Sequence, residues 1–153
     1  PSLIRGMYRY HTHTLKWSDL GYNFLVDRFG RAWEGRAGGM TKPVRGAHTL
    51  GFNATSVGIA VIGTYTDVKP RPAVLTTLVK LAAWKLDRFK RDPLARIRVR
   101  SQGSDLFRRG EAVRLPVIDG HRDTNATECP GQVLYDLLPK LRTRTAHRVE
   151  RFD

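Results

Sequence analysis

With a single cysteine among its 153 residues, this chain can form no internal disulfide, and cysteine pairing says nothing of the redox compartment it works in. Cys129 itself stays open to three readings: a small buried hydrophobe, a reactive thiol or a metal ligand. No stretch approaches the ~20 apolar residues of a membrane-crossing helix, which excludes a helical span. The opening residues Pro1-Ser2-Leu3-Ile4-Arg5-Gly6 lack the apolar run and small-residue cleavage site of a signal peptide, so any export signal is expected to lie outside these residues. Pro1 is not an initiating methionine, and a chain cut or processed at its front is expected. Acid is scarce as well: 14 Asp and Glu against 27 Lys and Arg leave a formal charge of +13. Such an excess favours polyanionic surroundings, whether nucleic acid, acidic wall polymers or anionic membrane surfaces. The basic residues are scattered rather than drawn into one stripe, so nucleic acid is not the expected partner.

What is present fits one domain, since 41% hydrophobic residues in a chain of this length suffice for a single packed core. Leu3, Ile4, Met7, Tyr8 and His11 recur at helical spacing and predict a short amphipathic helix ending before Thr12-His13-Thr14. Tyr22 to Val26 and Arg31 to Glu34 flank Asp27-Arg28-Phe29-Gly30, which reads as a β-hairpin with glycine closing the turn. The glycine-rich stretch from Gly35 to Gly46 reads as a loop of the kind that carries binding residues. Val57 to Gly63 is an apolar run expected to form a central strand buried on both faces. Pro72 opens a long helical pattern through Leu75, Leu78, Val79, Ala82, Leu86 and Phe89, closed by Asp92-Pro93. Residues 96–114 look polar, basic and irregular, and Leu115 to Ile118 suggests a brief strand that delivers His121 at its end. Pro130 to Leu141 predicts a last helix, and the charged segment after Arg142 is expected to fray. The fold class is therefore α/β (α+β): a central mixed sheet flanked by about three helices, with a domain over 1–142 and a basic tail over 143–153.

Zinc accepts imidazole nitrogen and thiolate sulfur, and a catalytic site keeps three protein ligands and one open position. His121 and Cys129, seven residues apart, are candidates for two of them, with Pro130-Gly131 turning the chain into the last helix. By spacing alone a satisfied loop histidine and an inert thiol read equally well.

Trp17-Ser18-Asp19-Leu20-Gly21-Tyr22-Asn23-Phe24, Trp33-Glu34-Gly35-Arg36, Gly46-Ala47-His48-Thr49, Gly51-Phe52-Asn53, Ser56-Val57-Gly58-Ile59-Ala60, Gly120-His121-Arg122-Asp123 and Thr127-Glu128-Cys129-Pro130-Gly131 occur in that order. Together they resemble the successive signatures of peptidoglycan recognition proteins and type-2 N-acetylmuramoyl-L-alanine amidases, over about residues 1 to 140. Position 33 departs mildly, with tryptophan where the family more often has tyrosine. The resemblance implies a zinc amidase cutting between N-acetylmuramic acid and L-alanine, with His121 and Cys129 matching the second and third Zn2+ ligands. It implies Tyr22 and Thr127 as catalytic residues beside the metal-bound water, and Arg36, His48 and Asn53 as substrate-binding residues. Peptidoglycan or muropeptides are then the expected partner, with anionic wall polymers in addition, no membrane span and a monomeric state. The expected location is extracellular or at the cell wall. Read from the residues alone, the lesser alternative for Tyr22 is a hairpin side chain packing on the core. Asp123 is a candidate for bracing Arg122 or the metal loop, or for an ordinary ion pair. Ala60 stands where the small-amidase branch carries a glutamate, which aligns the chain with the recognition-protein branch.

One piece of the pattern is missing. The family's first zinc ligand sits on a strand well before the Trp-x-Asp-x-Gly-Tyr motif, so that ligand and a first, central strand are expected upstream of Pro1. His11 and His13 resemble the missing element superficially, but their distance from Trp17 matches a helix end, and capping or surface roles are the alternative. Two competing functions stay open, a non-catalytic peptidoglycan-binding module and, from the charge, a nucleic-acid-binding domain.

Overall fold

Every residue of Phe24–Val26 is buried, Leu25 and Val26 completely so, and the sheet is built outward from this segment, strand β1. The computed structural model describes residues 1–152. Asp27 closes the hairpin by accepting the Phe29 and Arg31 amides, which returns the chain as β2, Ala32–Glu34. β2 pairs antiparallel with β1, Leu25 opposite Trp33. On the other side of β1 lies β3, Ile59–Val61, in parallel register with Leu25 opposite Ala60. The expected hairpin is therefore present, but β1 and not β3 is the central strand. An apolar run reads alike at the centre or the edge of a sheet; here β3 has one paired side among the described residues and is only half-buried.

Residues 96–114 are not irregular. They hold β4, Arg96–Arg100, and open β5, Ala112–Pro116, which form a separate antiparallel pair with Arg98 opposite Arg114. Their inward side chains pack with Phe52, Phe107 and Leu115 in a small second core.

Four α-helices among the described residues complete the fold. α1, Ser2–Arg9, continues into a wide turn over Tyr10–Thr14 instead of stopping before Thr12. None of its residues is buried, so the predicted apolar stripe lies on the surface and His11 is the first buried side chain. α2, Pro72–Arg88, buries Val74, Leu78, Val79, Ala82 and Ala83, and packs against the last helix. The expected single final helix is two, α3 Gln132–Asp136 and α4 Leu138–Val149, because Pro139 has no N–H to continue the ladder across Leu137. The chain does not fray at Arg142 but stays helical to Val149. Leu138, Leu141 and Thr145 share one buried face, and Arg142 donates to the Ile118 carbonyl at 2.7 Å, so residues 143–149 are held as the rest of α4. Val26, Val74, Leu78, Val79, Leu134 and Leu141 form the main core, with Tyr65. No helix among the described residues is long and apolar enough to cross a membrane.

Candidate functional site

The turn after β5 carries His121 in a short 3-10 segment, His121–Asp123, and its carboxylate is the brace. Asp123 accepts the Gly120 amide at 2.8 Å and the Tyr135 hydroxyl at 2.6 Å, which ties the turn to α3. Of the roles open to Asp123, this is loop bracing rather than an ion pair with Arg122. Arg122 instead donates to the Glu128 carbonyl and to Gln132, stacks on the Tyr135 ring at 4.6 Å, and its own amide reaches the Cys129 carbonyl at 3.1 Å. The loop thus returns Cys129 beside the segment that carries His121. Gly131 then turns the chain at φ +89°, where a Cβ would meet the Tyr65 carbonyl at 2.6 Å, so only glycine fits.

Four further elements bring side chains to this loop. Tyr22, at the foot of β1, lies close enough to Cys129 that the thiolate adds to burial in raising the phenol above its usual range. Its ring stacks on His48 at 6.5 Å between centroids, with 16° between planes. Burial first, then His121 and Arg36, depress His48 to about 4. Tyr22 thus joins Cys129 to His48, and His48 in turn feels His121 and Arg36. Burial lowers His121 as well, opposed by Asp105 and by a hydrogen bond with Asn125. The Cys129 thiol is accessible at the surface, yet its surroundings push it above the ordinary thiol value, with Arg122 pulling the other way.

The fixing of His48 was not legible in the sequence. A Cβ on Gly58 would sit 2.3 Å from the imidazole Cγ, and one on Gly46 2.3 Å from its Cδ2, so the ring lies packed against two bare glycine backbones. Asn23, buried at the foot of β1, holds that arrangement: its Oδ1 accepts the Gly58 amide at 2.9 Å and its Nδ2 donates to Val44 at 2.8 Å. A polar residue at the head of an apolar run was the available signal. Asn53, expected at the substrate, turns its Oδ1 to the His48 and Thr49 amides, both at 2.8 Å, and shapes the loop. Thr127 is exposed and accepts the Cys129 amide at 3.2 Å. Among the described residues, His48 Nε2 and Arg36 Nη1 are buried without a hydrogen-bond partner. Asp119 was also missed; burial and Asp123 push its carboxyl up to about 7.

His11 is no free donor. Its Nδ1 accepts the Gly21 amide at 3.1 Å, and its ring packs 4.8 Å from Trp17. Among the described residues no three His, Cys, Asp or Glu side chains gather closely enough to hold a metal.

The His48 shift sets a pH dependence. A histidine depressed from 6.5 to about 4 is neutral when folded, so its contribution to stability is complete above pH 6.5 and is lost as pH falls towards 4. Its share should reach up to about 1.4 kcal/mol per pH unit across that window. Asp119, raised instead, works in the opposite direction there. Denaturant titrations of wild type and His48→Gln should therefore converge as pH falls from 6.5 to 4; parallel curves would refute a neutral, buried His48.

The sequence profile of the N-acetylmuramoyl-L-alanine amidase family, Amidase_2, matches residues 5–132. A human protein named N-acetylmuramoyl-L-alanine amidase is 38% identical over 135 residues, which is 88% of this chain and 19% of that protein. Peptidoglycan-recognition protein SC2 of Drosophila simulans is 30% identical over 133 residues, 87% of this chain and 59% of its own length. The chain thus spans from about a fifth to three-fifths of these curated relatives. Among solved structures, human PGRP-IBETAC in complex with glycosamyl muramyl pentapeptide superposes with a TM-score of 0.67 at 28% identity, covering 90% of this chain and 68% of that one. The ectodomain complex of peptidoglycan recognition proteins LCa and LCx bound to tracheal cytotoxin gives 0.69 at 32% identity, with 91% and 69% covered.

Proposed function

The chain belongs to the N-acetylmuramoyl-L-alanine amidase family, and from that premise we propose that it takes part in hydrolysing the amide between N-acetylmuramic acid and the L-alanine of the peptidoglycan stem. One observation carries the reading. Side chains from four segments are linked pairwise: Cys129 raises Tyr22, Tyr22 stacks on His48, and His121 and Arg36 lower His48, while His48 Nε2 and Arg36 Nη1 are buried without a partner among the described residues.

His121 and Cys129 pair imidazole with thiol, the donor chemistry zinc accepts. Without a third donor among the described residues, the set fits zinc in kind and falls short in number. Metal-binding free energy comes from the assembled ligand set, so this chain by itself should hold zinc weakly and hydrolyse slowly. A bound zinc would supply Lewis acidity and a water ionised near neutral pH.

The chain's own residues act on substrate independently of that ion. Tyr22 keeps its proton at neutral pH, because burial and Cys129 both raise its pKa, and so it can donate to a carbonyl or a developing oxyanion. His48 stays neutral, and its unpartnered Nε2 suits a hydroxyl or amide of the sugar-peptide junction. Arg36 is held by its Nη2 bond to Ser18 at 2.9 Å, leaving Nη1 for a carboxylate or carbonyl of the stem. Thr127 fixes the Cys129 backbone. With peptidoglycan as substrate, the site of action is the cell wall, outside the membrane.

The incomplete donor set favours a second reading, a recognition module that holds muropeptide without cutting it. Incubating muropeptide with the chain, with and without added zinc and then with chelator, separates the two. The amidase reading expects zinc-dependent release of stem peptides with a free L-alanine amine, abolished by chelator. Saturable binding with no release at any zinc concentration establishes recognition instead.

A further inference from the structure

β4 reads Arg-Ile-Arg-Val-Arg, and the pleat sends alternate side chains to opposite faces. Ile97 and Val99 turn inward, leaving Arg96, Arg98 and Arg100 exposed on the far face. The register sets Arg98 directly opposite the exposed Arg114 of β5. Alternate arginines along a strand repeat every ~7 Å. Arg96 donates to the Arg114 carbonyl at 2.9 Å and Arg100 to the Gly110 carbonyl at 3.0 Å, which fixes two of the guanidinium heads along the hairpin. The connecting loop adds exposed Arg108 and Arg109.

Among the described residues no ion pair involves this array. The ion pairs among the described residues are Arg31 with Asp27 and Lys90 with Asp87, both elsewhere. Glu111 lies beyond the last paired residue, where its carboxylate accepts the Arg108 amide. Like charges facing across a ladder oppose folding, so a row of them with no ion pair among the described residues calls for a partner of opposite charge. A regular, straight row of cations suits a linear polyanion with evenly spaced charges.

We propose that the arginine face of the β4–β5 hairpin is a docking surface for a linear polyol-phosphate polymer of the cell wall. The wall as the source rests on the peptidoglycan reading above. Nucleic acid shares the phosphodiester but also presents bases, and proteins that hold single strands offer them exposed aromatic rings. The hairpin has none: the exposed aromatics are Tyr8, Tyr10, Trp17, Phe29, Phe89 and Phe152, all on other elements. The loop joining the two strands touches the candidate site, Gln102 donating to the Gly51 carbonyl at 2.9 Å and the Ala126 amide to Asp105 at 3.3 Å. A polymer held on this face is thereby held beside the candidate site.

The test measures binding of purified poly(glycerol phosphate), free of peptidoglycan, to the full chain in chelator, so neither zinc nor hydrolysis enters. Counterion release by four neutralised phosphates predicts that affinity falls roughly 50- to 150-fold between 50 and 200 mM salt. Arg98→Gln/Arg114→Gln should bind more weakly and lose only about tenfold over the same range. The control Arg28→Gln/Arg71→Gln removes the same charge from the arginines stacked on Phe29, and should keep the wild-type salt slope. Equal loss in both variants means undirected attraction to a basic protein and overturns the proposal. Tighter binding of a single-stranded oligonucleotide of matched charge, lost in the same hairpin variant, also overturns it in favour of nucleic acid. Melting curves check that each variant is folded; should the first pair unfold, Arg96→Gln/Arg100→Gln carries the same expectation. Muropeptide cleavage is followed separately, so failure of this surface and failure of the amidase reading are told apart.

Discussion

Replacing Cys129 with alanine is expected to weaken zinc retention more than about 100-fold and to abolish zinc-dependent release of stem peptide. Loss of a residue that merely supports a ligand costs roughly 10- to 100-fold in metal affinity, and loss of a donor atom costs more. Muropeptide affinity should move by no more than about threefold, since an exposed side chain outside a buried network contributes within about 0.5 kcal/mol. Metal analysis after dialysis against graded zinc, with calorimetric titration of muropeptide, checks both halves. Undiminished zinc-dependent cleavage by Cys129→Ala would remove the thiol from the chemistry. A lowered melting temperature together with lost muropeptide binding would make Cys129 a packing residue. The intended outcome is the split between the two readouts, which neither a structural cysteine nor a pure recognition module produces.

The second large effect falls on a residue with no side chain. Gly58→Ala places a methyl 2.3 Å from the His48 Cγ and 2.7 Å from its Nδ1, and Gly46 closes the ring's other approach. The ring cannot simply step aside, and overpacking of this kind costs typically about 1–3 kcal/mol. Muropeptide affinity should fall at least roughly tenfold, because whatever relieves the clash moves His48 out of its place beside Tyr22 and His121. The double variant identifies the cause. With His48→Ala the three ring atoms nearest the methyl are gone, so adding Gly58→Ala should cost less further stability, a non-additivity expected of residues in contact. Additive losses in that cycle would mean that Gly58 matters through its backbone, held by Asn23, and not through the imidazole.

Much of the local structure could be read along the chain. The β1–β2 hairpin was legible because Asp27 and Gly30 form a turn whose chemistry is contained in four consecutive residues. The helix from Pro72 was legible because its stripe repeats over seventeen residues. By contrast, Arg-Ile-Arg-Val-Arg has a strand's alternation, yet its charge masked the half-buried Ile97 and Val99, and the Phe52 core that Val99 joins lies more than forty residues away. The end of α4 looked like a solvated tail for the same reason, since Thr145 is buried only through packing on α2.

The candidate site divides along the same line. His121 and Cys129 lie on one returning loop, and their pairing as donors could be suggested from spacing and residue type. The approach of Tyr22, Arg36 and His48 to that loop came only through the family resemblance, as no periodicity links residues nearly a hundred positions apart. The sequence by itself determined the local pieces: the hairpin turn, the long helix, the donor pair and the excess of positive charge. The tertiary structure alone decided which strand is central, that His48 lies neutral against two glycines, and that the arginines of β4 and β5 share one exposed face. Turns and helical stripes depend on neighbours within a few residues, whereas burial, charge coupling and strand register depend on whichever distant segment the packed core brings alongside.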